Sequence, residues 1–286
     1  MNRRQFLQQS ALAATALAAP QLISAQEKKS KMKLGLVTWN LASTWTLQNI
    51  LDNCRTAQFE GVEFRTTHPH GVEPTLNATQ RAEVKKKCAD AGLTIWGLGT
   101  TCEFQSPNPD EVKKQIAICA DFVKLAADLG AHGVKVRPNG LPKEVPIEKT
   151  LAQIGASLVE CGKIAADHGV EIWLEVHGGG TQEPKNLKTI MDAADHKSVG
   201  ACWNSNPTDV KDGSVKWAFD LLGKRIRSCH INDLTSNYPW REFFTLLRES
   251  GYDRYTLCEY GKSFPAAEGA EFMKQYRAKW LELTAQ

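Results

Sequence analysis

Residues 151–177 read LAQIGASLVECGKIAADHGVEIWLEVH, a helical pattern that gives way to a short apolar strand. Apolar residues recur at helical spacing over Leu151–His168, Gly169 follows, and Glu171–Val176 is rich in β-forming residues. A glycine at such a junction suits the left-handed conformation that ends many helices. The stretch therefore predicts a helix, a glycine cap and a buried strand in succession.

The same unit recurs along the chain. The β-rich runs are eight in number: Leu34–Thr38, Gly61–Arg65, Leu93–Gly99, Gly133–Arg137, Glu171–Val176, Val199–Trp203, Ile226–Ile231 and Tyr255–Glu259. A segment with helical spacing follows each of them: Gln48–Gln58, Gln80–Ala91, Glu111–Leu129, Leu151–His168, Leu187–Ala194, Ser214–Leu222, Trp240–Glu249 and Ala267–Leu283. Continuous apolar strands that alternate with helices indicate a parallel sheet covered by helices. Eight repeats in about 250 residues favour a closed (β/α)8 TIM barrel over an open sheet.

Length and charge narrow the function classes. The chain has 286 residues, of which 42% are hydrophobic, so it can bury the core of a single barrel domain. Its formal net charge is +3, which gives no reason to expect a nucleic acid or an acidic membrane as partner. No GxGxxG motif follows the first predicted strand, which argues against a dinucleotide-binding fold.

The N-terminal 25 residues, MNRRQFLQQSALAATALAAPQLISA, resemble a twin-arginine export signal. Arg3 and Arg4 precede an uncharged Ala/Leu-rich stretch that is short for a membrane span. We therefore expect a cleavable signal at 1–25, a linker at 26–32 and the barrel at 33–286. The mature protein would be periplasmic and keep no stable membrane anchor. The alternative is an N-terminal anchor or a helix of the fold.

The eight cysteines are scattered, at positions 54, 88, 102, 119, 161, 202, 229 and 258. Several lie inside predicted strands or helices, so we expect most of them to be small buried hydrophobic residues. The chain has no CxxC motif, which argues against a thiolate zinc site.

In a TIM barrel the carboxyl ends of the strands form the mouth, where functional side chains collect. The last four predicted strands end with one polar residue each, Glu175, Asn204, His230 and Glu259, which lie 29, 26 and 29 residues apart. Oxygen donors together with one imidazole suit Mn²⁺, Mg²⁺, Co²⁺ or Zn²⁺. The pattern predicts one divalent metal site. The alternative is that these side chains are merely solvated or salt-bridged.

Further polar side chains follow the strands at five positions, Glu63, Lys135, Arg137, His177 and Asp233. We expect them to surround the substrate. Lys135 and Arg137 could bind its oxygens or stabilise an enolate, unless they only form salt bridges inside the barrel. Glu63 and His177 could hold its hydroxyls, and Asp233 could orient the imidazole on strand seven.

Four motifs in this order resemble the sugar phosphate isomerase/epimerase family, the xylose-isomerase-like TIM barrels. They are Gly61-Val-Glu-Phe-Arg65, Glu175-Val-His177-Gly178, His230-Ile-Asn-Asp233 and Cys258-Glu259-Tyr260. The resemblance covers residues 33–283.

The resemblance implies a ligand set and a mechanism. In ketose 3-epimerases and inosose dehydratases of this family, four residues hold the ion, one from each of strands five to eight. In strand order they are Glu, Asp, His or a neutral equivalent, and Glu. These positions match Glu175, Asn204, His230 and Glu259. The two glutamates are implied to be catalytic, one removing a proton next to a carbonyl polarised by the metal and the other returning it through an enediolate.

This chain departs from the family pattern at strand six, where Asn204 replaces the usual aspartate. The site is then less negative, so its metal affinity should fall. Alternatively, Asn206 or Asp209 supplies the strand-six ligand.

The resulting expectation is a metal-dependent isomerase or epimerase of a sugar or polyol, or a lyase or dehydratase acting on keto-sugars or glycosides. A homodimer is a family-level expectation only. One alternative, which Asn204 supports, is a barrel that binds carbohydrate without catalysis. A less favoured alternative is an apurinic endonuclease, which requires several zinc ions. Seven histidines, the export signal and the near-neutral charge argue against it.

Overall fold

A computed structural model of the chain describes residues 31–285. They form a closed barrel of parallel strands in the order β1 to β8, and β8 pairs with β1. The strands are β1 Lys33–Val37, β2 Gly61–Arg65, β3 Thr94–Glu103, β4 Gly133–Arg137, β5 Glu171–Glu175, β6 Val199–Asn204, β7 Ile226–Ile231 and β8 Tyr255–Cys258. This confirms the predicted (β/α)8 TIM barrel.

One α-helix follows each strand. The helices are α1 Leu47–Ala57, α2 Ala78–Asp90, α3 Pro109–Leu129, α4 Ile147–Asp167, α5 Pro184–Ala193, α6 Lys216–Leu222, α7 Trp240–Glu249 and α8 Ala266–Thr284. Short 3₁₀ turns lie at Asn40–Ala42, Pro207–Asp209 and Gly223–Arg225. The predicted signal at 1–25 lies outside the described residues, and the predicted linker 26–32 meets them only at Lys31 and Met32.

The junctions between helix and strand follow local sequence signals. Thr46 caps α1 and Asn77 caps α2, each in a reciprocal capping box. Gly92, Gly130 and Gly169 follow three helices and have φ values of 68°, 73° and 68°, which confirms the left-handed conformation predicted at Gly169. These signals fix where each helix stops and thus where the next strand begins.

The floor of the barrel is filled by aromatic rings. Trp96 stacks on Trp173 with ring centroids 5.0 Å apart, and Tyr255 lies 4.9 Å from Trp96. A Cβ atom at Gly133 would lie 2.3 Å from the Trp173 ring, and one at Gly61 would lie 2.4 Å from the Tyr255 ring. The glycines on neighbouring strands therefore make room for the large rings, and the barrel is closed below the functional end.

All eight cysteines are buried and unpaired, as predicted from their apolar surroundings. Between residues 31 and 285, no helix has both the length and the apolar character needed to cross a membrane.

Candidate active site

A cavity of about 530 Å³ opens at the carboxyl ends of the strands. We call it the mouth cavity. Most of the residues that line it have polar side chains: Val37, Trp39, Arg65, Lys135, Arg137, Glu175, His177, Gln182, Asn204, Asn206, Asn232, Asp233, Glu259, Tyr260, Gly261 and Lys262. Seven of the nine predicted site residues line it; the other two, Glu63 and His230, are completely buried beneath it.

Three of the predicted metal ligands converge in the structure. His230 Nδ1 lies 3.5 Å from Glu175 Oε1 and 3.2 Å from Glu259 Oε1. One ligand atom from each residue falls within 4.8 Å of the others. Within the described part of the chain, this is the one group of three or more His, Cys, Asp or Glu side chains placed to hold an ion.

Asn204 completes the group from strand six. It pairs with His230 in the β6–β7 ladder, which sets the two side chains side by side. Its Nδ2 donates to Glu175 Oε1 at 3.3 Å, and its Oδ1 is buried without a hydrogen-bond partner. His230 Nδ1 is also buried without a hydrogen-bond partner. Two unused lone pairs beside two carboxylates are a donor set that fits a divalent cation.

The neighbouring candidates for the strand-six ligand have other contacts. Asn206 Nδ2 donates to the Val176 carbonyl at 2.6 Å. Asp209 is 1% exposed, and its Oδ2 accepts from the backbone N–H of Asn206 at 2.9 Å and from the Tyr238 hydroxyl at 3.0 Å. Both residues therefore build the loop after β6, whereas Asn204 is the one that reaches the metal ligands.

Glu63 contacts His230 rather than the mouth cavity. Its side chain is fully buried, and its Oε2 accepts from His230 Nε2 at 3.2 Å. A proton held on Nε2 leaves Nδ1 as the lone-pair atom that faces the carboxylates of strands five and eight. The expectation that Glu63 holds a substrate hydroxyl is thus wrong for this geometry, because the side chain is sealed below the cavity.

Asp233 was expected to orient His230, and this also differs in the structure. Its Oδ1 accepts from the backbone N–H of Thr235 at 2.9 Å and from the Thr235 hydroxyl at 2.6 Å. Asp233 therefore shapes the loop after β7 at the edge of the mouth cavity, and Glu63 takes the orienting position instead.

Lys135 forms a buried ion pair with a metal-ligand candidate. Its Nζ lies 2.7 Å from Glu175 Oε2, and both side chains are 4% exposed. Burial disfavours the charge of Lys135, but Glu175 and Glu63 outweigh burial and hold the pKa of Lys135 above its usual value. Burial likewise opposes the charge of Glu175, but Lys135 and His230 hold its pKa below its usual value. Both groups stay charged at neutral pH.

Arg137 pairs with Glu103, a residue that the sequence did not single out. Arg137 Nη2 donates to Glu103 Oε1, which also accepts from Asn139 Nδ2 at 2.8 Å. Thus Lys135 and Arg137 form salt bridges, as the alternative interpretation foresaw, and both also line the mouth cavity. Strand β3 reaches Glu103, four residues beyond its predicted end, and there pairs with Arg137.

His177 lies at the edge of the same cavity. It is partly exposed, and its Nδ1 is buried without a hydrogen-bond partner. Gly178 follows with φ 91°, and a Cβ there would lie 2.6 Å from Asn139. The loops after β4 and β5 therefore approach closely only because this position is glycine. His177 remains a candidate for a substrate hydroxyl.

Comparison with known proteins gives the family. A family described as xylose isomerase-like TIM barrel matches residues 51–276. The chain belongs to this family. The metal-ligand candidates on β5 to β8 all lie within the matched residues.

Three known proteins, one similar in sequence and two similar in structure, show how far the likeness extends. An inosose dehydratase of Bacillus velezensis is 25% identical over 200 residues, 66% of this chain and 63% of that relative. The alignment thus spans less than two thirds of the relative's length. A D-psicose 3-epimerase of Clostridium cellulolyticum H10, solved with D-tagatose, has 18% identity and a TM-score of 0.73, covering 88% of this chain and 98% of its own.

The third is a solved structure of a protein named IOLI with a zinc atom bound. It has 16% identity and a TM-score of 0.74, covering 89% of this chain and 98% of its own. At these identities, the structural likenesses establish a shared fold.

Proposed function

We propose that this chain is a metal-dependent enzyme that isomerises or epimerises a sugar or polyol, or eliminates water or a glycosidic group from a keto-sugar. The observation that carries the proposal is the convergence of Glu175, Asn204, His230 and Glu259 at the mouth cavity, which the first, second and fourth of them line. The names of the relatives agree with it, because one is an inosose dehydratase and another a ketose epimerase solved with a sugar.

The residues that would hold the ion are Glu175, Asn204, His230 and Glu259. The zinc atom in the protein named IOLI supports a divalent ion in this fold. A divalent ion at this position supplies positive charge that polarises a substrate carbonyl and so acidifies the neighbouring C–H bond. Side chains of the protein would carry out the proton transfer and balance the charge that develops.

The two glutamates, Glu175 and Glu259, differ in whether they have a carboxylate oxygen without a polar contact. Glu175 Oε2 accepts from Lys135, and its Oε1 accepts from Asn204. Among the described residues, the Glu259 side chain has one polar contact, from Oε1 to His230 Nδ1. Glu259 therefore has an oxygen free to take the substrate proton. The C–H electron pair then forms the C=C bond of the enediolate while the carbonyl π pair moves to its oxygen. Lys135, which lines the mouth cavity, is the cation available to balance the charge gained by that oxygen.

The experiment that tests this function joins metal analysis with proton exchange. Mature protein is purified, its bound metal is measured by elemental analysis, and deuterium uptake from D₂O is followed in a panel of sugars and 3-keto-sugars. We expect one metal ion per chain and exchange that is lost in both Glu175→Gln and Glu259→Gln. Glu160→Gln, on the exposed face of α4, serves as the control and should exchange normally.

The alternatives give different results in the same experiment. A chain that binds no metal and exchanges no sugar proton, yet binds sugar, would be a carbohydrate-binding barrel. Several metal ions per chain would favour the endonuclease-like alternative. The single group of ligands in residues 31–285 offers no cluster for several ions.

We also propose that the protein is exported through the twin-arginine signal at 1–25 and acts in the periplasm. Arg3 and Arg4 carry this proposal. Cell fractionation tests it: the wild-type chain should appear in the periplasm, and a variant with both arginines changed to lysine should stay in the cytoplasm. Periplasmic recovery of the double variant would contradict the proposal.

A further inference from the structure

The mouth cavity is lined by four cationic side chains, Arg65, Lys135, Arg137 and Lys262. Lys135 pairs with Glu175, and Arg137 pairs with Glu103. No carboxylate among residues 31–285 forms an ion pair with Arg65, whose guanidinium makes one hydrogen bond, from Nη1 to the Thr66 carbonyl at 3.0 Å. Lys262 is exposed, so water solvates it. Of these four side chains, Arg65 is the partly buried one that has no carboxylate partner among residues 31–285.

Arg65 is held firmly by its backbone. Its N–H donates to Thr38 Oγ1 at 2.8 Å, and its carbonyl accepts from His70 Nε2 at 2.9 Å. The His70 ring is oriented in turn, because its Nδ1 accepts from the Val72 amide at 3.1 Å. The guanidinium therefore projects from a fixed point at the end of β2, and little freedom of the backbone would be lost when a ligand binds.

The charges around Arg65 favour the binding of an anion next to its guanidinium. Burial and the nearby Arg137 lower the pKa of Arg65, while Glu175, Glu63 and Glu259 partly oppose them. A partly buried cation beside a like charge is unfavourable unless an anion compensates it. The neutral amide of Asn204 adds no negative charge from strand six.

We propose that Arg65 binds a carboxylate of the substrate, so that this cavity takes a sugar acid in preference to the neutral sugar of the same skeleton. This rests on the proposed function, because it assumes that the cavity holds a sugar. A planar guanidinium matches a carboxylate with two parallel hydrogen bonds. A single free guanidinium at a fixed position suits a monoanion better than a phosphate dianion.

The test is a binding measurement with a matched pair of sugars. Calorimetry on the metal-loaded protein compares D-glucuronate with D-glucose, which differ only in the oxidation of C6. We expect the uronate to bind at least about tenfold more tightly than glucose, which is the gain expected from one charge-assisted hydrogen-bonded ion pair. In Arg65→Gln the preference should shrink to within about twofold, because the affinity for the uronate falls far more than the affinity for glucose. Measurable glucose binding by the variant shows that its cavity is intact.

Lys262→Gln is the matched control, since it removes the same charge from the same cavity at an exposed position. It should keep most of the preference. An equal loss in both variants would overturn the proposal, because it would show a general effect of charge. Equal binding of the two sugars to the wild type would also overturn it and leave the proposed function standing. Failure of both sugars to bind would count against the proposed function as well.

Inorganic phosphate distinguishes the two anion chemistries. We expect phosphate to compete weakly with D-glucuronate. If phosphate bound more tightly than the uronate and lost that affinity in Arg65→Gln, Arg65 would be a phosphoryl site and the carboxylate assignment would be wrong.

Discussion

His230 is contacted on both ring nitrogens by acidic side chains. Nε2 donates to the fully buried Glu63, and Nδ1 faces Glu175 and Glu259. A carboxylate on the far nitrogen fixes the tautomer and the ring angle of a metal-binding histidine. The sequence could not assign this role to Glu63, because the residue lies 167 positions away from His230 and meets it only when the barrel closes. Asp233, three residues from His230, was the nearer candidate in sequence, but it lies in the following loop.

Glu63→Gln tests the orienting role. The amide keeps the shape of the side chain but removes the charge that favours a proton on Nε2, so we expect metal affinity to fall about 10- to 100-fold. Titration of the metal-free protein with Zn²⁺ or Mn²⁺ measures it. Asp233→Asn is the matched control and should leave the affinity within about threefold, which is well below that loss. A similar loss in both variants would show that Glu63 has no special part.

The carboxyl group of Asp209 is buried and helps to build the loop after β6. It accepts hydrogen bonds from the backbone N–H of Asn206 and from the Tyr238 hydroxyl. Burial raises the pKa of Asp209 from 3.8 to about 7, and those hydrogen bonds only partly oppose it. A carboxyl whose pKa is raised in the folded state stabilises the fold fully below its unfolded pKa, and that contribution is lost as the pH rises to the folded pKa.

Asp209→Asn should remove this pH dependence. Its amide oxygen can still accept from Asn206 and Tyr238, so the variant should resemble wild type near pH 4. Relative to wild type it should gain on the order of 4 kcal/mol by pH 8, or about 8–16 °C in Tm. Thermal melts across this range measure the difference. Asp52→Asn, an exposed carboxylate on α1, should show no such trend. Parallel pH profiles for wild type and Asp209→Asn would be inconsistent with a buried titrating carboxyl.

At the level of elements, the sequence predicted some strands fully and others only in part. The bounds of β2, β4 and β7 agree with the prediction. In each case the predicted β-rich run and the strand end at the same residue, which is Arg65, Arg137 and Ile231 respectively. Strand β3 continues from Gly99 to Glu103, and its register shifts on the way. The Thr-Thr-Cys-Glu extension carries no continuous apolar pattern, and Glu103 pairs with a residue on the next strand. Its place beside the mouth cavity therefore depends on a tertiary contact that no local pattern encodes.

Strand β4 needs a glycine at position 133 for a steric reason. An added Cβ would lie 2.3 Å from the ring of Trp173 on β5. We expect Gly133→Ala to destabilise the protein by about 1–3 kcal/mol, as overpacking of a rigid core does. Urea denaturation measures the change. Gly179→Ala, in a loop where an added Cβ meets nothing within 4 Å, is the control and should be nearly neutral.

A second substitution separates overpacking from other effects of Gly133→Ala. Trp173→Leu removes the ring atoms that the new methyl group would meet. The double variant should therefore lose less stability than the two single variants together, because the sites are in contact. Strict additivity would mean that the clash with Trp173 is not the cause.

Across the whole molecule, the repeating pattern predicted the barrel, while the site arises from its closure. The four metal-ligand candidates were predictable, since each lies at or next to a recognisable strand end and parallel strands bring those ends to one rim. The ion-pair partners of Lys135 and Arg137 were not, because pairing depends on distances across the barrel. The family resemblance supplied the expected ligand order, and the structure supplied the burial and the contacts.

A metal ion at this site would join four of the eight strands, β5 to β8, and should therefore stabilise the whole fold. An ion that binds only the folded chain adds about 2.7 kcal/mol when its free concentration is 100 times Kd. Removing it with a chelator should lower Tm by about 5–10 °C, and adding Zn²⁺ or Mn²⁺ should restore it. Glu259→Gln should lose most of this metal-dependent shift, whereas Asn204→Asp should enlarge it, because a carboxylate binds a cation more tightly than an amide. A wild-type Tm that does not respond to metal, or an equal response in Glu259→Gln, would show that these four strands do not share an ion.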